Sequence, residues 1–154
     1  MKTTLLRPKQ VAPKARGLEL DELWSFVLSK SQKRWVWLAL CRYTRQVVAY
    51  VIGDRSEATC RRLWHAIPWG YRSAHLYTDF LKAYAAVLPD NRHTAVGKEA
   101  GDTVHVERWN NTLRQRLARF VRKTLSFSKC DYMHEICLGL FIHRYNLECI
   151  NTMG

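Results

Sequence analysis

The sequence lacks any hydrophobic run that could cross a membrane. Its longest apolar stretch, residues 35–41, falls far short of the roughly 20 residues that a spanning helix needs. A secretory signal is also missing, because residues 1–16 are basic, contain Pro8 and Pro13, and hold no apolar core. These absences exclude membrane-spanning and exported proteins and predict a soluble protein of the cytoplasm that has no membrane partner.

Patterns typical of zinc sites and disulfide frameworks are absent as well. The cysteines are odd in number, widely spaced and never arranged as C-x-x-C: Cys41, Cys60, Cys130, Cys137 and Cys149. The six histidines form no H-E-x-x-H pair. We therefore expect reduced, mostly buried thiols and no zinc site.

Acidic residues are scarce, since 13 Asp and Glu stand against 25 Lys and Arg, which gives a formal charge of +12. Such an excess of positive charge predicts a polyanionic partner, and nucleic acid fits a chain without membrane signals. The length of 154 residues, with 47% hydrophobic residues, suits one folded domain. We place this domain at residues 18–150 and regard residues 1–17 as a basic arm or linker remnant.

Hydrophobic periodicity predicts an α/β protein. Residues 18–28 alternate as in a strand, and residues 35–41 and 47–52 form two further β-rich runs joined by short polar turns, as in an antiparallel meander. After these, the pattern predicts a helix at 56–67 capped by Ser56, a strand at 74–78, a short helix at 80–88, a strand at 93–96, and helices at 104–123 and 128–147. The resulting order is β-β-β-α-β-α-β-α-α.

Three of the few acids lie on two predicted strands and one predicted helix, at positions where their carboxylates could form a metal site. Asp21 lies on the polar face of the first strand, Asp79 ends the fourth strand, and Glu107 lies near the start of the long helix. If strands one and four are neighbours and the helix crosses them, the three carboxylates meet. Hard divalent cations take such oxygen ligands, and a pair of these ions supports phosphoryl transfer.

Each acid also has a simpler interpretation. Asp21 could be a solvated strand residue like Glu19, Asp79 could cap the helix that begins at Phe80, and Glu107 could complement a helix dipole. Two positions have rivals as ligands: Glu22 competes with Asp21, and Glu99 and Asp102 compete with Glu107. Asp21 faces away from Leu18 and Leu20, and the choice between Asp21 and Glu22 stays open at this point.

Four segments together resemble the IS1 family of insertion-sequence transposases. They read L-D-E-L-W-S-F-V (residues 20–27), Y-T-D (77–79), E-R-W-N-N-T-L-R-Q-R (107–116) and R-K-T-L-S-F-S-K (122–129). The resemblance runs from about Leu18 to the last helix and implies an RNase H-like fold, with a mixed five-stranded sheet of three antiparallel strands followed by parallel additions and flanked by helices. It further implies a DDE transposase whose catalytic and metal-binding triad is Asp21, Asp79 and Glu107, with Mg²⁺ or Mn²⁺, two ions, as cofactor.

Basic residues gather in and after the long helix. We predict that these basic residues contact DNA together with Asn110, which lies on the same side of the helix as Glu107. The basic residues are Arg108, Arg114, Arg116, Arg119, Arg122, Lys123 and Lys129. Few acids lie nearby to pair with them, so phosphate contact is preferred over a solvated basic face.

The resemblance also implies partners. Family transposases usually carry an N-terminal zinc-binding and helix-turn-helix region, commonly supplied from an upstream reading frame, and no such region precedes Leu18. We therefore expect a downstream-frame product that acts on insertion-sequence ends and target DNA as a homo-oligomer, associated with the prokaryotic nucleoid. The alternatives are an RNase H-like nuclease or resolvase, and a non-catalytic DNA-binding regulator of transposition.

Overall fold

The computed structural model describes residues 17–26, 33–123 and 131–152. The basic arm before Gly17, the expected helix start at Ser128 and the candidate DNA contact Lys129 lie outside these ranges. The elements are β1 (Leu18–Phe26), β2 (Lys33–Cys41), β3 (Val47–Gly53), α1 (Glu57–Ala66), β4 (Leu76–Thr78), α2 (Lys82–Val87), β5 (His93–Ala95), α3 (Val104–Lys123) and α4 (Asp131–Thr152).

The strands form one mixed sheet in the order β3-β2-β1-β4-β5. β2 pairs antiparallel with both β1 and β3, whereas β4 pairs parallel with β1 and with β5. This confirms the predicted five-stranded sheet and the neighbourhood of strands one and four. Leu18 pairs with Leu76 and Glu19 with Tyr77, so the same register continued by two residues brings Asp79 level with Asp21.

Helices cover both faces of the sheet. On one face, Leu18 and Leu20 of β1 belong to a buried cluster that includes Leu63 of α1 and Tyr84 of α2. On the other face, Leu23 packs in a second cluster with residues of α3 and α4. A central strand buried on both sides needs apolar residues at every position, which explains the continuous run in β2.

Local signals set most element boundaries. The Ser56 side chain accepts a hydrogen bond from the Thr59 amide, as an N-cap does, and α1 ends just before Pro68. β4 starts two residues later than predicted because the Ala74 amide is bonded to the Tyr71 carbonyl in a turn. α4 continues to Thr152, five residues beyond its predicted end.

Asn146 fixes α4 against the edge of the sheet. Its side chain is fully buried, accepts from the Val47 amide at 2.9 Å and donates to the Val47 carbonyl at 2.9 Å. The amide therefore satisfies the backbone at the start of β3, which is the edge strand of the sheet as far as the described residues show. Among the residues described, no helix is long and apolar enough to span a bilayer.

Candidate metal centre

The three predicted acids line one cavity of about 290 Å³. Asp21 comes from the middle of β1, Asp79 follows the last residue of β4, and Glu107 lies in the first turn of α3. The remaining lining residues are Leu20, Glu22, Arg55, Thr103, Asn110, Asn111 and Arg114. The parallel pairing of β1 with β4 and the packing of α3 on β1 thus bring together residues that lie far apart in the sequence.

Negative charge is concentrated in this cavity. Oxygen atoms of Asp21, Glu22 and Asp79 all lie within 4.8 Å of one another. Burial raises the pKa of Asp21 to about 7, and the nearby carboxylates of Glu22, Asp79 and Glu107 add to the rise. Because like charges and low solvation both disfavour the ionised form, a bound cation would relieve the cluster.

Asn110 supports a fit to a hard cation. Its Nδ2 donates to Asp21 Oδ2 at 2.6 Å, and the residue is only 4% exposed. Its Oδ1 is buried and has no hydrogen-bond partner within the described part of the chain. A buried acceptor without a donor is costly, and an amide oxygen can coordinate Mg²⁺ or accept a hydrogen bond from a water bound to it. The donor set therefore suits a divalent ion.

Glu22 is engaged differently from Asp21. Arg55 donates to Glu22 Oε1 through Nη2 at 2.8 Å and Nε at 3.1 Å, and the Tyr84 hydroxyl donates to Oε2 at 2.7 Å. Burial raises the pKa of Glu22, while the hydrogen bonds from Tyr84 and Arg55 oppose the rise. Both carboxylate oxygens thus have protein donors, and the Arg55 guanidinium, stacked 4.7 Å from the centre of the Trp35 ring, neutralises the charge.

Asp79 does not cap α2, contrary to the simpler interpretation of this residue. The helix begins at Lys82, and its N-cap position is Leu81, which has no side-chain cap. Asp79 Oδ1 instead accepts from the Leu81 amide at 2.9 Å. This bond holds the turn between β4 and α2 and occupies one of the two carboxylate oxygens.

Glu107 and its two rivals lie in different surroundings. Glu107 lines the cavity, where Thr103 Oγ1 donates to its Oε1 at 3.0 Å. Asp102 forms an ion pair with Arg42 at 3.1 Å, and Glu99 is exposed. Neither rival lines the acid cavity.

Glu19 was misjudged as a solvated strand residue. It is completely buried and accepts hydrogen bonds from the His105 amide at 2.9 Å and from His105 Nδ1 at 2.6 Å, with Arg42 Nε 3.5 Å away. Glu19 therefore docks the N-terminus of α3 onto β1. Glu19 precedes Asp21 by two residues on β1, and its partner His105 precedes Glu107 by two residues on α3. The alternation of β1 places Glu19 on the same face as Asp21, and this shared face was the feature of the sequence that could have identified Glu19 as a residue near the site.

The predicted DNA contacts fall into different environments. Arg108 and Arg114 are exposed, and Arg114 also borders the acid cavity. Arg116 has a carboxylate nearby, because its Nη1 lies 3.8 Å from Glu148 Oε2 of α4. Asn110 is buried beside Asp21. The last three residues predicted in this helix belong to α3, but their side chains are not described: Arg119, Arg122 and Lys123.

Sequence comparisons match nearly the whole chain. Residues 16–148 match a family model described as IS1 transposase. The chain is 39% identical over 127 residues to the insertion element iso-IS1n protein InsB of Shigella dysenteriae, with 82% of this chain and 94% of that protein covered. It is 34% identical over 151 residues to an InsB protein of Escherichia coli K12, insertion element IS1 4, with 90% of this chain and 84% of that protein covered.

A solved structure shares the fold. It is the simian T-cell lymphotropic virus intasome in complex with the PP2A regulatory subunit B56 gamma, matched with a TM-score of 0.58 and 16% identity. The match covers 90% of this chain and 49% of that one. The likeness is one of fold, and with the sheet order it supports an RNase H-like architecture.

Proposed function

The chain belongs to the IS1 transposase family, and from this premise we propose that it cleaves DNA strands at insertion-sequence ends and joins them to target DNA. The observation that carries the proposal is the convergence of Asp21, Asp79 and Glu107 on one cavity of a chain with a net charge of +12. Carboxylates whose ionisation is disfavoured by burial and by one another are typical of functional sites, and Asp21 in this cavity is such a group.

We assign Asp21, Asp79 and Glu107 as the residues that hold two Mg²⁺ or Mn²⁺ ions. When bound, these ions supply positive charge at the attacking and leaving oxygens of the phosphate. Asn110 orients Asp21 through their 2.6 Å hydrogen bond, and we propose that its buried Oδ1, which has no hydrogen-bond partner within the described residues, serves the same ions. The Leu81 amide and Thr103 hydroxyl hold Asp79 and Glu107 in the same way.

Asp21 is preferred over Glu22 as the ligand from β1. Glu22 already has donors on both oxygens and a guanidinium as counter-ion. Asp21 has no such counter-ion within the described part of the chain, and burial, together with the neighbouring carboxylates, raises its pKa to about 7. We therefore assign Glu22 the task of holding Arg55 at the cavity, where the guanidinium is about half exposed and free to approach a phosphate.

DNA is the proposed substrate and partner. Arg114 stands at the rim of the acid cavity and Arg108 on the exposed side of α3. Together with the other basic residues of this helix, they provide phosphate contacts that position a strand without reading its sequence. We propose catalysis by residues 18–150 in a homo-oligomer on DNA, in the prokaryotic cytoplasm, with residues 1–17 as a basic arm and end recognition supplied by an upstream-frame region.

The products formed on DNA test this function. The chain, with and without a supplied end-binding region, is incubated with insertion-sequence end DNA, target DNA and Mg²⁺. Joined end–target products support a transposase, whereas cleavage by water alone indicates a nuclease or resolvase. Binding without either product in both arms indicates a regulator and contradicts the proposal.

A further inference from the structure

A second cavity lies on the side of α3 away from the acids, between this helix and the β2–β3 turn. Its volume is about 170 Å³, and it is lined by Leu40, Arg45, His105, Arg108, Trp109, Thr112 and Tyr145. No α3 residue lines both cavities, since the acid cavity uses Glu107, Asn110, Asn111 and Arg114. We propose that this second cavity binds one phosphate of the DNA backbone, separate from the phosphate that reacts at the acids.

The charge of the second cavity favours an anion. Two guanidinium groups, Arg45 and Arg108, line it, and no lining residue is acidic. Within the described part of the chain, neither group forms an ion pair with a carboxylate, whereas Arg42, Arg55 and Arg116 each have one. Planar guanidinium donors match the oxygens of a phosphate, so two of them beside one cavity form a suitable binding site.

The backbone of Arg45 gives a second, independent indication. Its φ is +63°, the only positive value for a described residue other than glycine. Its amide donates to the Cys41 carbonyl at 2.9 Å, which closes the turn between β2 and β3. Glycine adopts this conformation at lower cost than a residue with a side chain. An arginine at such a position is consistent with a use for the side chain that outweighs the backbone strain.

The two cavities lie on opposite sides of α3, and a helix is about 10–12 Å across. A strand that crosses the exposed side of α3, where Arg108 lies, would therefore place its second contact a few nucleotides at most from the reacting phosphate. This inference rests on the proposed function for its choice of DNA as the source of the phosphate.

Chemical neutralisation of single phosphates tests the site. Methylphosphonate is introduced at successive positions of an insertion-sequence end duplex, and the Kd for the full chain is measured in EDTA with the end-binding region supplied, so that the chain binds in one register. Wild type should lose affinity roughly tenfold when the phosphate bound by Arg45 is neutralised. Arg45→Gly should bind the unmodified duplex about tenfold more weakly and lose much less affinity than wild type at that one position, where only Arg108 remains. Its log–log salt slope should be smaller by up to about 0.9.

Two controls separate a binding role from a folding role. Arg45→Gly should keep or raise the Tm, because glycine relieves the left-handed backbone, so weaker binding cannot come from unfolding. Arg61→Ala removes the same charge from the exposed side of α1, on the opposite face of the sheet, and should leave every methylphosphonate penalty in place. If each penalty persists in Arg45→Gly, the inference is overturned. Because binding is measured without metal, this outcome is distinct from a failure of the chain to join DNA.

Discussion

Replacing Asp21 by Asn should stabilise the metal-free protein while it destroys the proposed metal site. In the folded chain the pKa of Asp21 is about 7, raised from 3.8 chiefly by burial. Below about pH 3 the carboxyl is largely protonated whether the chain is folded or unfolded, and at pH 4 only about half of the unfolded chains have released the proton, so ionisation costs little. Between pH 4 and 7 the unfolded chain releases this proton and the folded chain retains it, so the free energy of unfolding falls as pH rises.

The structure sets the size of this effect. The gap between the two pKa values corresponds to about 4 kcal/mol at most. Partial solvent access to the cavity reduces that figure, and we expect Asn to recover about 2 kcal/mol at pH 8. For a domain of this size, that gain is an increase in Tm of about 6 °C. The substitution keeps an acceptor for Asn110 Nδ2, which now bonds Asp21 Oδ2, so the packing need not change.

Thermal unfolding followed by circular dichroism in EDTA, at pH 4, 6 and 8, measures the difference. The gain in Tm for Asp21→Asn should be small at pH 4 and largest at pH 8. Glu99→Gln removes a nearby exposed carboxylate that lies outside the acid cavity, and it should show no such trend. At pH 8, Mg²⁺ should raise the Tm of wild type more than that of Asp21→Asn. A variant no more stable than wild type at pH 8 in EDTA would refute the electrostatic reasoning.

Three further predictions concern DNA binding and the docking of α3. Asp79→Asn should abolish cleavage and joining yet leave the Kd for duplex DNA unchanged or lower in a gel-shift assay, since Asn lacks the charge that holds Mg²⁺; normal joining would contradict this. Glu19→Gln should lower the free energy of unfolding in urea by about 2–4 kcal/mol, because an amide cannot replace the fully buried carboxylate that pairs with Arg42 and accepts two hydrogen bonds from His105; a change below about 0.5 kcal/mol would show that the contact is dispensable. Raising salt fourfold should weaken DNA binding roughly a hundredfold if about four phosphates are contacted, and Arg119→Ala with Arg122→Ala should flatten the log–log slope by about two; salt-insensitive preference for the end sequence would oppose this.

Much of the fold was predictable because its signals are local. The alternation in β1, the apolar run of β2 and the 3.6-residue period of α3 each follow from which faces an element buries. Ser56 and Pro68 marked the ends of α1 by hydrogen-bonding capacity alone. The start of α2 was less predictable, because Asp79 bonds the Leu81 amide in a turn that resembles a helix cap in sequence.

The environment of the site depended on tertiary contacts that no local pattern carries. Glu19 and Asp21 occupy equivalent positions on β1, yet Glu19 is buried against His105 and Arg42 while Asp21 faces the acid cavity. The donors to Glu22 come from Arg55 and Tyr84, 33 and 62 residues away along the chain. The packing of α2 and of the β3–α1 turn around β1 therefore decides that Glu22 is neutralised by Arg55 and that Asp21 is not.

We propose that Asp21, Asp79 and Glu107 act together on DNA phosphates, and single-turnover joining by matched variants measures this cooperation. Wild type, Asp21→Asn, Asp79→Asn, Glu107→Gln and the control Glu99→Gln are compared on the same end and target DNA with saturating Mg²⁺ and a supplied end-binding region. Loss of about 4 kcal/mol of transition-state stabilisation predicts a rate roughly a thousandfold lower for each of the three cavity variants. Glu99→Gln should stay within a few-fold of wild type. Near-normal joining by any cavity variant, or a comparable loss in Glu99→Gln, would contradict the assignment.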